Sequence, residues 1–236
     1  MYTLVFILLL CAIGYSLWAQ FNVKSTFKKY AVEPTASGMT GYDAARMILD
    51  RNGLQHVPIE RVAGDLTDHY DPKANVIRLS ESVYGAGTTA AVGVAAHEAG
   101  HAVQYAVGYI PIKVRTAILP VCSVGSKIAL PLILVGLLIS AYCESGAQLG
   151  YTLALAGVLA YGLAALFQFV TLPVEFNASS RALAALSESG VMSSDELNGS
   201  KKVLKAAART YVAAFAVSLL QFLRLLLMVT GGRRRR

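Results

Sequence analysis

Residues 150–170 read GYTLALAGVLAYGLAALFQFV, a run of twenty-one residues without a charged side chain. A helix crosses the apolar core of a bilayer with roughly 20 such residues, so this stretch reads as a membrane span. Upstream, residues 119–142 form a second apolar stretch, interrupted only by Lys127, whose long side chain can reach towards a surface, and by Pro131, expected to kink it. The linker 143–148 is too short for anything but a direct return. Residues 119–170 are therefore expected to form an antiparallel transmembrane hairpin.

The rest of the chain agrees with a membrane setting. Of 236 residues, 55% are hydrophobic and only 15% charged, against about 25% charged in soluble domains. Residues 2–19 carry no charge and lack the basic start and small-residue cleavage site of a secretory signal, so they read as an uncleaved anchor. Residues 210–230 form a fourth hydrophobic helix with Arg224 inside it. A charge at that depth is costly unless it faces protein or water, so this helix either spans or lies in the interface. The tail 231–236 is polybasic and supplies four units of the net +7 charge. It suits anionic lipid better than nucleic acid, which is not expected as a partner. Cys11, Cys122 and Cys143 are scattered, with no C-x-x-C pattern and no disulfide framework.

Residues 20–115 are polar and long enough for a small α+β segment. Thr40 through Asn52 reads as a helix: Thr40 caps it, Ala44, Ala45, Ile48 and Leu49 make its apolar stripe, and Gly53 ends it. Residues 57–62 and 75–80 read as strands, with turn chemistry in Asp71-Pro72-Lys73-Ala74-Asn75 before the second. A helix rich in Ala and Gly then starts at Thr88 or Thr89 and runs to about Tyr105. The fold class is thus a mainly α membrane protein. Its parts are an N-terminal anchor, a small α+β segment, a transmembrane hairpin, a helical segment at 171–209 and a C-terminal hydrophobic helix.

The Ala- and Gly-rich helix carries His97-Glu98-Ala99-Gly100-His101. Residues four apart share a helix face, so His97 and His101 can bind one metal ion together while Glu98 projects beside them as a base. Two imidazoles and a neighbouring glutamate form the H-E-x-x-H pattern of zinc hydrolases, in which the ion activates water and the glutamate takes its proton. The segment 20–115 is a candidate metalloprotease domain on that ground. A third ligand is needed. The longer pattern with a further histidine is absent, because Gln104 and Val107 occupy its positions, and His56 and His69 lie upstream.

Membrane parity narrows the choice. Lys24, Lys28 and Lys29 follow the first span, so the positive-inside rule puts residues 20–115 in the cytoplasm. The hairpin crosses out and back, returning residues 171–209 to the same side, where Lys201, Lys202, Lys205 and Arg209 agree with that placement. Glu144 falls on the other side, and Glu188 and Glu196 sit in a polar stretch that suits solvent. Glu175, in Leu172-Pro173-Val174-Glu175-Phe176-Asn177-Ala178-Ser179, is the preferred third ligand. Its competing reading is a first-turn carboxylate in a helix begun by Pro173, where the macrodipole favours negative charge.

The segments His69-Tyr70-Asp71-Pro72, Asn75-Val76-Ile77-Arg78-Leu79-Ser80, His97-Glu98-Ala99-Gly100-His101 and the stretch around Glu175 resemble the YugP-like family of membrane neutral zinc metallopeptidases. The similarity covers nearly the whole chain. It implies a membrane-embedded gluzincin with one catalytic Zn2+, His97, His101 and Glu175 as ligands, and Glu98 as catalytic base. A looser similarity is to HtpX-type membrane proteases, whose downstream motif is E-x-x-A-D. Ser179 stands where that aspartate would orient a metal-binding histidine, which leaves Asn177 or Asp68 as substitutes.

The expected activity is membrane-bound peptide hydrolysis at the cytoplasmic face of the plasma membrane. The partners would be membrane lipid and a peptide or membrane-protein substrate. His69, Arg181 and Tyr105 are candidate donors to the oxyanion or substrate, and strand 75–80 is a candidate edge for an extended peptide. The rival is a zinc-binding membrane scaffold or chaperone-like protein without turnover. A metal transporter fits less well, since the two clean spans offer only Lys127 and Gln168 to line a pathway. Substrate, regulatory partner and oligomeric state have no signal in the sequence.

Overall fold

A computed structural model describes residues 1–233, a mainly helical chain with a small sheet. Its elements are α1 (Tyr2–Tyr30), α2 (Gly41–Arg51), β1 (Ile59–Val62), β2 (His69–Asp71), β3 (Val76–Ser80), α3 (Glu81–Tyr84), α4 (Thr89–Ala106), α5 (Ile110–Tyr142), α6 (Ala147–Ser189) and α7 (Ser194–Arg233). Four of them, α1, α5, α6 and α7, are long and apolar enough to cross a membrane. Of the expected basic tail, residues 234–236 lie outside the described residues.

The chain forms two compact units. The first contains Met1–Trp18, Val114–Leu172 and Tyr211 onwards. Its core joins Ile133 of α5, Ala154 and Val158 of α6, and Leu225 and Val229 of α7, so the fourth hydrophobic helix packs with the hairpin. Small residues let α5 and α6 approach closely: a β-carbon on Gly136 would collide with the backbone of Gly150 and Ala154. Arg224 is not left bare, since its guanidinium lies 5.2 Å from the Phe6 ring centre and 3.4 Å from the Tyr2 hydroxyl.

The second unit contains Ala19–Lys113 and Pro173–Thr210. Its core forms around α4, whose Ala90, Ala91, Val92, Ala95, Ala96 and Ala99 pack with Ala45 and Leu49 of α2, Ile77 and Leu79 of β3, Leu186 of α6 and Val203 of α7. Helix α2 begins where its cap requires. Thr40 Oγ1 accepts from the Asp43 N–H while the Asp43 carboxylate accepts from the Thr40 N–H, a reciprocal cap whose threonine alone is worth about 1 kcal/mol. Gly53 then turns the chain at φ +73°.

The sheet runs β1-β3-β2, with β1 parallel and β2 antiparallel to β3. Strand β2 was not anticipated, being three residues long and containing His and Asp. It pairs with β3 because Asp71 accepts from the N–H groups of Lys73 and Ala74, and Asn75 takes φ +52° to close the turn. That pairing corrects one expectation. Strand 75–80 is central, with both edges occupied, and the strand with an outer edge beside α4 is β2.

Residue 173 brings a second correction. Pro173 does not begin a helix but lies inside α6, which continues from Ala147 to Ser189. Glu175 is therefore mid-helix, and helix-start electrostatics do not account for it.

Candidate metal centre

His97 and His101 sit one turn apart on α4, a helix started by Thr88, whose Oγ1 accepts from the Ala91 N–H. Their faces meet α6 of the same unit. Glu175, 2% exposed, reaches from α6 so that its Oε2 lies 3.3 Å from His97 Nε2 and 3.5 Å from His101 Nε2. The three candidate ligand atoms all fall within 4.8 Å of one another. A buried carboxylate pulled between two imidazoles needs a positive charge nearby, because isolated buried charge costs several kcal/mol.

These residues fit a zinc ion. Two histidines and one glutamate form a common catalytic zinc set, and bonds of about 2.0–2.1 Å in tetrahedral array separate ligand atoms by about 3.3 Å. The two carboxylate–imidazole spacings are close to that value. Each Nδ1 is engaged on the far side of its ring: His97 Nδ1 lies 3.1 Å from Ser179 Oγ, and His101 Nδ1 lies 3.0 Å from Gln104 Oε1. Both Nε2 atoms therefore turn towards the shared centre. Burial on its own would lower the pKa of His101, yet the bond to Glu175 and the charges of Glu98 and Glu175 hold it above its ordinary value. The site stabilises positive charge, as a cation site must.

Glu98 is buried on α4, and its Oε2 accepts from the Tyr70 backbone N–H at 3.0 Å. That N–H points out of the β2 edge. The Tyr70 ring turns to the helical side of the sheet, with its centre 5.5 Å from that of Tyr105 and its hydroxyl donating to Asn75 Oδ1 at 2.7 Å. Register pairs Tyr70 with core residue Ile77, and His69 with Arg78. His69 consequently belongs to the opposite sheet face, exposed, with its Nδ1 2.8 Å from the Thr67 carbonyl.

Arg181 is half-buried on α6 and donates from Nε to Asn177 Oδ1 at 2.8 Å. Asp68 accepts from the N–H and hydroxyl of Ser80 at 2.7 and 3.1 Å, tying the start of β2 to the end of β3. Burial raises its carboxyl pKa and the nearby Glu98 charge adds to the rise, against the lowering effect of the Ser80 bonds. Among the described residues the hydrogen bond to His97 comes from Ser179, while Asp68 bonds to Ser80 and Asn177 to Gln104 and Arg181. Gln104 is the residue that the sequence reading missed. In the sequence it marks an absent motif, and the available signal was an amide on the helix face of the two histidines, three positions after His101.

Gly100 sets the distance between the two ligand-bearing helices. A β-carbon there would lie 2.6 Å from the Ala178 carbonyl oxygen and 3.3 Å from its Cα, all rigid backbone. Helix propensity alone favours Ala over Gly by about 1 kcal/mol. The clash opposes this with about 1–3 kcal/mol of overpacking, and relieving it moves Glu175, three residues from Ala178. Gly100→Ala is expected to lower the melting temperature and to weaken zinc binding about tenfold. Thermal melts and chelator competition check this, and a raised melting point with unchanged affinity would contradict it.

A His-His-Glu cluster around the buried Glu175, in a chain with four membrane-length helices, defines a membrane protein with a candidate metal centre. The chain belongs to the family described as "Putative neutral zinc metallopeptidase", whose model matches residues 5–230. It is similar to "Putative membrane protease YugP" of Bacillus subtilis (strain 168), at 46% identity over 226 residues covering 96% of each chain. No solved structure matches it.

Proposed function

We propose that this protein is a multi-pass, plasma-membrane zinc metalloendopeptidase of the gluzincin type, hydrolysing peptide bonds at the cytoplasmic face. One observation carries the reading: two imidazole Nε2 atoms and a buried carboxylate converge from α4 and α6, beside a glutamate held by a strand-edge N–H. His97, His101 and Glu175 would hold one zinc ion. When bound, that ion supplies Lewis acidity, polarising a peptide carbonyl and lowering the pKa of water towards 7.

Glu98 is the general base. Its carboxylate takes a proton from the attacking water and delivers it to the leaving amine. The Tyr70 N–H restricts that carboxylate to one orientation, which shortens the search for a reactive geometry. With its outward N–H held by Glu98, the outer edge of β2 keeps the Tyr70 carbonyl as the acceptor it can offer an extended peptide, so that a scissile bond passes alongside α4. Arg181 is the candidate donor to the developing oxyanion; His69, exposed on the opposite face of the sheet, is not placed to serve.

The distribution of charge supports the cytoplasmic face. Lys29 of α1 and Lys202 of α7 lie 5.4 and 6.0 Å from the centre of the same Tyr30 ring, and Arg209 Nη1 lies 3.1 Å from Asn22 Oδ1. The basic ends of both helices thus share a unit with the metal cluster. Basic flanks remain on the cytoplasmic side. Helices α1, α5 and α6 are read as spanning, with residues 20–115 and 171–209 in the cytoplasm, and residues 210–230 as spanning or lying in the interface.

Sealed vesicles test the whole reading. Inside-out vesicles are expected to cleave an added unfolded polypeptide, to stop when zinc is chelated, and to resume when zinc is restored. Right-side-out vesicles are expected to leave the polypeptide intact. Cleavage from the opposite face alone would reverse the orientation, and cleavage indifferent to chelation would remove the metal mechanism.

A further inference from the structure

Gln104 has no exposed surface at all and sits on α4 one turn beyond His101. Burying a primary amide among apolar residues is costly unless its donors and acceptor are all used. Here they are. Nε2 donates to the Val174 carbonyl at 2.8 Å and to Asn177 Oδ1 at 3.0 Å, while Oε1 lies 3.0 Å from His101 Nδ1.

The sense of this amide is determined by its neighbours. A backbone carbonyl only accepts. Asn177 must likewise turn its oxygen to this point, because Arg181 Nε, which only donates, binds the same Oδ1 at 2.8 Å. Gln104 therefore presents NH2 to α6 and its oxygen to His101. An oxygen there requires a proton on Nδ1, which leaves Nε2 of the neutral ring with its lone pair free towards Glu175. His97 is held differently. Its Nδ1 meets the Ser179 hydroxyl, which can rotate to donate or accept and so imposes no tautomer.

Val174 and Asn177 also flank Glu175 in sequence. One side chain thus fixes the ring of a ligand on α4 and docks the turn of α6 that carries the other. We propose that Gln104 is the positioning residue of the metal centre. Oriented by Asn177 and Arg181, it locks His101 into the metal-binding tautomer and sets Glu175 against it. This role rests on the zinc reading of the site.

The test is zinc affinity by chelator competition on detergent-purified full-length protein, together with the visible spectrum of the cobalt-substituted form. Gln104→Met keeps the volume and removes every polar contact; it is expected to weaken zinc about 10–100-fold and to alter the cobalt spectrum. Gln104→Glu retains an acceptor for Nδ1–H but sets an oxygen against the Val174 carbonyl and Asn177 Oδ1, so it is expected to recover only part of that affinity. Ser179→Ala is expected to cost less than Gln104→Met. Folded Gln104→Met with wild-type affinity and cobalt spectrum overturns the proposal. If Gln104→Met does not fold, Asn177→Ala substitutes for it, since it removes one of the two acceptors that hold the amide NH2 and the contact that orients it through Arg181. A several-fold loss supports the role, and unchanged affinity overturns it. Wild-type protein that takes up no zinc fails the metal reading itself, whereas failure of the Gln104 role appears only in the ratio of variant to wild type.

Discussion

Glu98→Gln is expected to abolish peptide hydrolysis, lowering kcat/KM by about 10³-fold or more, while zinc content and melting temperature remain those of the wild type. General bases contribute about 10²–10⁴-fold, and an amide cannot accept the proton. The substitution is unusually clean at this position. Glu98 is buried and its Oε2 accepts from the Tyr70 N–H; the glutamine oxygen can accept the same bond, so orientation survives and only basicity is lost. Turnover of a reporter peptide beside metal analysis separates the two effects. Cleavage persisting in a zinc-replete Glu98→Gln protein would show that the proton goes elsewhere. A wild type that holds zinc and cleaves no peptide or membrane protein would instead favour a scaffold.

The difference between what the sequence revealed and what it hid lies in the range of the interactions. His97 and His101 were legible because helix geometry alone places residues four apart on one face. The four apolar helices were legible for a similar reason, since composition over roughly 20 residues decides whether a segment can live in lipid. Helix α2 announced both its ends, through Thr40 and Gly53. Glu175 was reached by parity and by resemblance, but its local setting was misread. Pro173 by its own preference marks a helix start, whereas here it lies within a continuous α6. Strand β2 was hidden because three residues, two of them His and Asp, carry no periodicity, and only pairing with β3 makes them a strand. Gln104 was hidden because its meaning depends on Val174 and Asn177, seventy and seventy-three positions away.

Glu175→Ala is the substitution expected to act most strongly on the metal. The carboxylate is buried between two imidazoles, with Oε2 at 3.3 and 3.5 Å from their Nε2 atoms. Removing it leaves two neutral nitrogen donors, without the negative charge that makes the site attractive to a divalent ion. Loss of one of three protein ligands exceeds the 10–100-fold cost of losing an outer hydrogen-bond partner, so zinc affinity is expected to fall by about 10³-fold. Activity should fall with it at ordinary zinc concentrations. The fold should survive, because Val174, Ala178 and Ala182 carry the packing of this part of α6 and all remain in place. Equilibrium dialysis with zinc, read beside helical content, checks both statements. Excess zinc offers a sharper discrimination. If Glu175 only binds the ion, high zinc should restore part of the activity of Glu175→Ala but none of the activity of Glu98→Gln. Full stoichiometry and affinity in Glu175→Ala would show that the third ligand is another residue.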